Sequence, residues 1–73
     1  MKYLVVIEKG PRSYGAFVPD LPGCVAVAKT RARVRRLIRE AMELHVLDMR
    51  QRGLRIPRPA ARSDFVELEP SQV

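Results

Sequence analysis

Cysteine, histidine and long apolar runs are scarce in this chain, and each shortage excludes a class of structure. The single cysteine, Cys24, cannot form an internal disulfide, and no Cys/His spacing is typical of a zinc site. No run approaches the roughly 20 apolar residues of a membrane-spanning helix, and the first apolar run is too short for a signal peptide. We therefore expect a soluble, cytoplasmic protein without membrane contact, metal or cofactor.

The small size of the chain favours association. Seventy-three residues form one domain, which we place at residues 1–73 with a frayed tail at 70–73. Chains of this length bury only about 60% of the surface that the unfolded chain exposes, and most add disulfides, a metal or a partner subunit. Since the first two are not expected, we predict a homodimer or a higher homo-oligomer.

The reactive side chains do not form a recognisable catalytic set. His45 and Asp48 could act as an acid–base pair, but a histidine on the apolar side of a helix is more often an interior or interface residue. A magnesium site of the ribonuclease H kind would need converging carboxylates. Glu40 and Glu43 point from the charged helix side, and Asp20 lies in a turn. We predict that the protein is not an enzyme.

Hydrophobic patterns predict three strands, a helix and a fourth strand. Residues 3–7, 14–18 and 24–28 are short apolar or β-branched runs separated by turn residues. Residues 31–52 have a helical period, and residues 64–69 alternate as a half-exposed strand would. The expected fold is α+β in two layers, β-β-β-α-β, with one long helix across one face of an antiparallel sheet.

Turn and cap signals separate these elements. Leu21-Pro22-Gly23-Cys24 fits a type II turn, in which glycine accepts the positive φ of the third position. Thr30 is a suitable helix N-cap, and Gly53 a suitable residue after the helix C-terminus. The predicted structural turn and cap residues are Pro19, Asp20, Pro22, Gly23, Thr30 and Gly53.

The positive charge is concentrated at the start of the predicted helix. Residues 29–39 contain six cations and no acid, whereas the rest of the chain carries eight basic and eight acidic residues. Cations in the first turns oppose the helix macrodipole, so helix stability does not explain them. Contact with nucleic-acid phosphates, docking of an acidic partner, and an arginine-rich solvated surface remain open. The residues are Lys29, Arg31, Arg33, Arg35, Arg36 and Arg39.

Apolar residues without an obvious place in the core indicate a partner surface. The first strand is apolar on both faces, although the chain has only one helix to cover a sheet. Leu47 lies on the charged side of the helix. The candidate partner or oligomer interface is formed by Tyr3, Val5, Ile7, Phe65, Leu68 and Leu47.

Three segments together carry a family resemblance. They are Tyr14-Gly-Ala-Phe-Val-Pro-Asp-Leu-Pro-Gly-Cys24, Thr30 before a helix that contains Arg39-Glu-Ala-Met-Glu-Leu44, and Gly53 followed by Ile56-Pro57. This pattern resembles the N-terminal domain of HicB-type antitoxins over nearly the whole chain. The resemblance implies a truncated ribonuclease-H-like fold without that enzyme's active site. It also implies binding and masking of a HicA-type toxin, an mRNA-cleaving ribonuclease with a double-stranded-RNA-binding-domain-like fold.

Two features depart from the family pattern. The usual appended DNA-binding domain has no counterpart in these residues, so operator binding is not expected. The family's helix usually begins with acidic residues, whereas residues 31–36 here include four arginines. Our leading hypothesis is an antitoxin-type binding protein. The alternatives are a nucleic-acid-binding module that uses residues 29–39, and an orphan HicB-like domain with another protein partner.

Overall fold

Three short antiparallel strands and one long helix form the fold in the computed structural model, which describes residues 1–72. The elements are β1 (Val6–Lys9), β2 (Tyr14–Phe17), β3 (Val25–Ala28) and α1 (Arg31–Gln51). The strands lie in the order β1-β2-β3, and both pairs are antiparallel. The predicted α+β class, an antiparallel sheet with one long helix, is confirmed.

The register gives the sheet one covered face and one open face. Ile7 pairs with Ala16, which in turn pairs with Ala26. Side chains alternate along a strand, so this row shares one face, and the burial of Ala16 in the core identifies it as the face that α1 covers. The small alanine side chains let the helix approach closely. The opposite face carries the row Val6, Phe17 and Val25.

The helix and sheet enclose a small core. Val34 and Ile38, one turn apart on α1, are buried against the covered face of the sheet. Leu21 is completely buried although it lies in a turn, and burial of one leucine contributes roughly 1.5–3 kcal/mol. The buried residues are Ala16, Val18, Leu21, Cys24, Val34 and Ile38.

The turn between β2 and β3 has the geometry of a type II turn. The amide of Cys24 donates to the carbonyl oxygen of Leu21 at 3.0 Å, and Gly23 has a φ of 85°. A residue with a Cβ would be strained at that φ, whereas glycine adopts it without cost. Pro22 occupies the preceding position, where a fixed negative φ is required. The turn directs Leu21 into the core.

Both ends of α1 have backbone groups satisfied by local contacts. At the N-terminus, the Thr30 side-chain oxygen accepts from the amide of Arg33 at 3.1 Å. Beyond the C-terminus, Gly53 has a φ of 69° and the amide of Leu54 donates to the carbonyl oxygen of Met49. This arrangement is a Schellman motif, which ends a helix with glycine in the left-handed region.

The first strand begins later than predicted. Residues 3–7 were expected to form it, but β1 spans Val6–Lys9. Its partner β2 ends at Phe17, which pairs with Val6. The next amide, that of Val18, donates to the carbonyl oxygen of Cys24 as the chain turns toward β3. Within residues 1–72, residues 3–5 therefore have no facing strand with which to pair.

The predicted fourth strand, residues 64–69, is not formed. The segment has no ladder partner among residues 1–72, and a strand needs one to satisfy its backbone groups. Phe65 is 96% exposed. A short 3-10 helix follows at Pro70–Gln72, and Val73, part of the frayed tail expected at 70–73, lies outside the described residues.

Residues 62–69, here termed the arm, project from the rest of the chain. The longest dimension of the molecule is 51 Å, whereas a helix of 21 residues is only about 32 Å long. The radius of gyration is 14.9 Å, compared with about 11 Å for a compact domain of this length. The apolar side chains of the arm are thus outside the core.

Candidate protein-binding site

A groove of about 630 Å³ lies between α1 and the N-terminal strand segment. Its floor is apolar, because the covered-face side chains of the first residues meet the adjacent side of the helix. The floor consists of Tyr3, Val5, Ile7, Ile38 and Met42. Its rim is cationic and consists of Lys2, Arg31, Arg35 and Arg39. The groove combines an apolar surface with positive charge.

The three arginines at this rim follow from helical periodicity. Arg31, Arg35 and Arg39 are four residues apart, a spacing that places side chains on one side of a helix. Like charges at this spacing destabilise a helix by a few tenths of a kcal/mol per pair. Arg39 has a partial partner, since its Nε lies 3.8 Å from Glu43 Oε1, with both side chains exposed. The row is therefore better suited to an external acidic group than to stabilising α1.

The other cations of residues 29–39 lie elsewhere. Lys29 and Arg33 border a second, shallower depression beside β3, together with Val27 and Leu37. Arg36 is exposed. The basic segment therefore does not form one continuous patch around the groove. Its cations divide between two sides of the helix.

The open face of the sheet exposes apolar side chains to solvent. It carries Val6, Phe17, Val25 and Val27, and the side chain of Val27 is 67% exposed. Glu8, which pairs with Gly15, is the acidic residue that the strands contribute to this face. Sequence reasoning missed this surface. The available signal was that residues 25–28 are apolar at every position in a chain with one helix.

The six predicted interface residues fall into three places. Tyr3, Val5 and Ile7 are half-buried in the groove floor. Phe65 and Leu68 are exposed on the arm and are not among the residues that line the groove. The last, Leu47, is exposed on α1. The structure thus joins half of the predicted interface to half of the predicted basic patch.

Asp20 connects the turn to the base of the arm. Its Oδ2 atom accepts hydrogen bonds from the amides of Ala60 and Ala61, both at 2.9 Å. These two bonds hold the pKa of the Asp20 carboxyl below its usual range, because they stabilise the charged form. A local turn interaction was expected, but the partners are about 40 residues away. The Tyr3 hydroxyl, which donates to the carbonyl oxygen of Pro57, provides a second such contact.

The residues with side chains that could take part in catalysis are a half-buried histidine, an exposed aspartate and a buried cysteine. His45 is half-buried on α1, and Asp48 Oδ2 lies 3.5 Å from Arg52 Nη1 in an exposed pair. Burial raises the pKa of the Cys24 thiol, which makes it a weak nucleophile. Among residues 1–72, no group of three or more His, Cys, Asp or Glu side chains is placed to hold a metal ion. In the same part of the chain, no helix has the length and apolar character needed to cross a membrane.

Fold and surfaces define a small α+β domain with an open apolar sheet face and a cation-rimmed groove. Comparison with known proteins identifies its family: the one described as "HicB_like antitoxin of bacterial toxin-antitoxin system" matches residues 3–70, and the chain belongs to it. The resemblance carried by the turn block, Thr30 and Ile56-Pro57 is thereby confirmed.

A curated relative supports the same assignment. A UPF0150 protein of Helicobacter pylori (strain J99) is 48% identical over 44 residues. The matched region covers 60% of this chain and 61% of that protein, so the similarity spans less than two thirds of the relative. No solved structure matches the chain.

Proposed function

We propose that this protein acts as an antitoxin by binding a HicA-type toxin and covering the surface with which that ribonuclease reaches mRNA. The family match over residues 3–70 is the observation that carries this proposal. Masking of an enzyme requires only a complementary surface and no chemistry of its own. The target of such a toxin is mRNA, so we place this activity in the cytoplasm.

The open sheet face is the surface that we assign to the toxin. Contiguous exposed apolar patches of this kind mark protein interaction sites, and covering them provides the hydrophobic driving force for association. Val25 and Val27 project from β3, an edge strand, so a partner can reach them without displacing other elements. The cationic groove is less suited to this partner, because a basic ribonuclease would be repelled there.

Co-expression with a toxin tests the proposal. The probe is the product of a short, basic reading frame adjacent to the gene of this chain, and the readout is growth after toxin induction. Val27→Lys should abolish rescue and raise the dissociation constant at least about tenfold, because a charge replaces an apolar contact. Leu44→Lys is the matched control, since Leu44 is also 67% exposed but lies on the helix. This control should leave rescue unchanged.

Three results would change the proposal. Failure of the wild-type chain to bind or neutralise the toxin would remove the antitoxin role and favour an orphan domain with another partner. Rescue by Val27→Lys equal to that of wild type would remove the open sheet face as the binding surface. Steeply salt-dependent binding of RNA or DNA that requires residues 29–39 would favour the nucleic-acid-binding alternative.

A further inference from the structure

The groove and the arm are two surfaces of the same chain that complement each other but do not meet. We propose that the arm of one copy lies in the groove of a second copy, as an added strand beside β1, and that the exchange is reciprocal in a two-fold symmetric homodimer. This inference is independent of toxin binding, because it uses neither Val25 nor Val27. It assigns a role to the groove, the arm and three of the unexplained arginines.

The backbone of β1 offers a place for an added strand. β1 lies at one edge of the sheet, with β2 on its inner side and no strand on its outer side among residues 1–72. An exposed edge presents unpaired N–H and C=O groups that pair readily with another extended segment. Strand addition of this kind supplies affinity through main-chain hydrogen bonds and specificity through side-chain pockets. The groove adjoins this edge and supplies such a pocket.

The side chains of the arm match the groove in both hydrophobicity and charge. The arm carries three acidic residues and one basic residue, Arg62 at its base, together with Phe65, Val66 and Leu68. In a strand, Phe65 and Glu67 project from the same face. Phe65 would then cover the apolar floor while Glu67 reaches the cationic rim. Val66 and Leu68 project from the opposite face, toward the open side of the sheet.

A second copy fits this groove better than the arm of the same chain. The bonds that Asp20 accepts from the amides of Ala60 and Ala61 hold the base of the arm beside the turn. Phe65 is 96% exposed, so it has not folded back onto its own groove. Reciprocal exchange places two identical contacts around one symmetry axis, the commonest arrangement of homodimers. The exposed β1 edge of each copy would be covered in one step.

A charge-swap experiment distinguishes exchange between copies from other arrangements. The groove variant is Arg31→Glu/Arg35→Glu, and the arm variant is Glu67→Arg. Each variant alone carries like charges on arm and groove, so its dimer dissociation constant should rise at least about tenfold. An equimolar mixture restores opposite charges at both contacts. Sedimentation velocity of that mixture should therefore show a heterodimer, with a dissociation constant within about threefold of the wild-type value.

The variants are chosen so that loss of dimer cannot be attributed to unfolding. Arg31, Arg35 and Glu67 are all exposed. Glutamates near the start of α1 complement the helix macrodipole, so the groove variant should fold at least as well as wild type. The matched control is Arg33→Glu/Arg36→Glu, which makes the same change in net charge on other sides of the helix. That control should remain dimeric.

Three outcomes would overturn the proposal. The first is a wild-type chain that stays monomeric at tens of micromolar. The second is a pair of charge variants that each remain as dimeric as wild type, which would place the interface elsewhere. The third is a mixture of the two variants that remains monomeric although each variant is folded. Circular dichroism of each variant, measured in the same buffer, establishes that last condition.

Discussion

The body of the chain, residues 1–56, and the arm, residues 62–69, carry similar apolar side chains but bury them very differently. Leu21 is fully buried although it belongs to a turn, while Leu68 is 58% exposed in a segment with a strand-like sequence. The two leucines differ in whether the backbone brings the side chain against another part of the fold. Hydrogen bonds across the turn return Leu21 to the core, whereas the segment that contains Leu68 is in no strand or sheet among residues 1–72. Apolar character alone therefore does not determine what a small domain buries.

The largest expected effect on stability comes from truncating a buried leucine of the body, and the same truncation in the arm is the comparison. Leu21→Ala should lower the free energy of unfolding by about 2–5 kcal/mol, because it leaves a cavity in a thin core. Leu68→Ala should change it by less than about 0.5 kcal/mol in dilute solution, where Leu68 is exposed and no second copy is bound. Urea denaturation at submicromolar protein measures both values.

The free energies of unfolding of Leu21→Ala and Leu68→Ala can also be measured at high protein concentration. Association stabilises the folded chain by mass action, so the effect of Leu68→Ala should grow as the protein becomes more concentrated. The effect of Leu21→Ala should stay nearly constant. A concentration-independent loss of stability in Leu68→Ala would contradict the division into body and arm.

A smaller effect on stability is expected from replacing Gly23 in the turn between β2 and β3. Gly23→Ala should destabilise the chain by about 1–2 kcal/mol, because alanine is strained at a φ of 85°. No atom lies within 4 Å of the Cβ position, so the cost comes from the backbone and not from a clash. Gly15→Ala is the matched control, with equal space around its Cβ and no positive φ. Thermal unfolding should show Gly15→Ala unchanged or slightly stabilised.

The smallest effect on the global stability concerns the junction between the two regions. The amides of Ala60 and Ala61 lower the pKa of Asp20 below the ordinary aspartate value of 3.8. The stabilisation from these bonds is therefore present above the unfolded-state pKa and is lost as the pH falls through the lower folded-state pKa. Amide chemical shifts of Ala60 and Ala61 should titrate with a midpoint below the ordinary aspartate pKa of 3.8.

Two substitutions complete that pH experiment. Asp20→Asn should remove the titration of the Ala60 and Ala61 amides and weaken the anchoring of the arm, because the charged acceptor is absent. Asp64→Asn, in the arm, should leave that titration in place, since Asp64 accepts from the amide of Phe65 instead. Persistence of the titration in Asp20→Asn would contradict the assignment of the two bonds.

Local features of this fold could be predicted from the sequence because their causes are local. The helical period of residues 31–52, the turn at Gly23 and the caps at Thr30 and Gly53 each depend on a few adjacent residues. The turn block and the exit at Ile56-Pro57 also carried the family resemblance. These signals were sufficient for the α+β class and for the family.

Features that depend on distant residues could not be predicted in the same way. The pattern of residues 64–69 indicates a strand, but pairing requires a partner edge that the chain does not bring to it. Aspartate is a common turn residue, and the sequence around Asp20 does not indicate that its side chain accepts hydrogen bonds from the amides of Ala60 and Ala61. The groove likewise combines Tyr3 with arginines about 30 residues away.

The Asp20 contact also has a consequence for the order of events in folding. The two hairpins and α1 are built from contacts between near neighbours in the chain, which close with little loss of loop entropy. The Asp20–Ala60 bond closes a loop of about 40 residues and depends on a turn that must already be formed. We expect it to form after the transition state. Its loss should therefore accelerate unfolding while leaving the folding rate nearly unchanged.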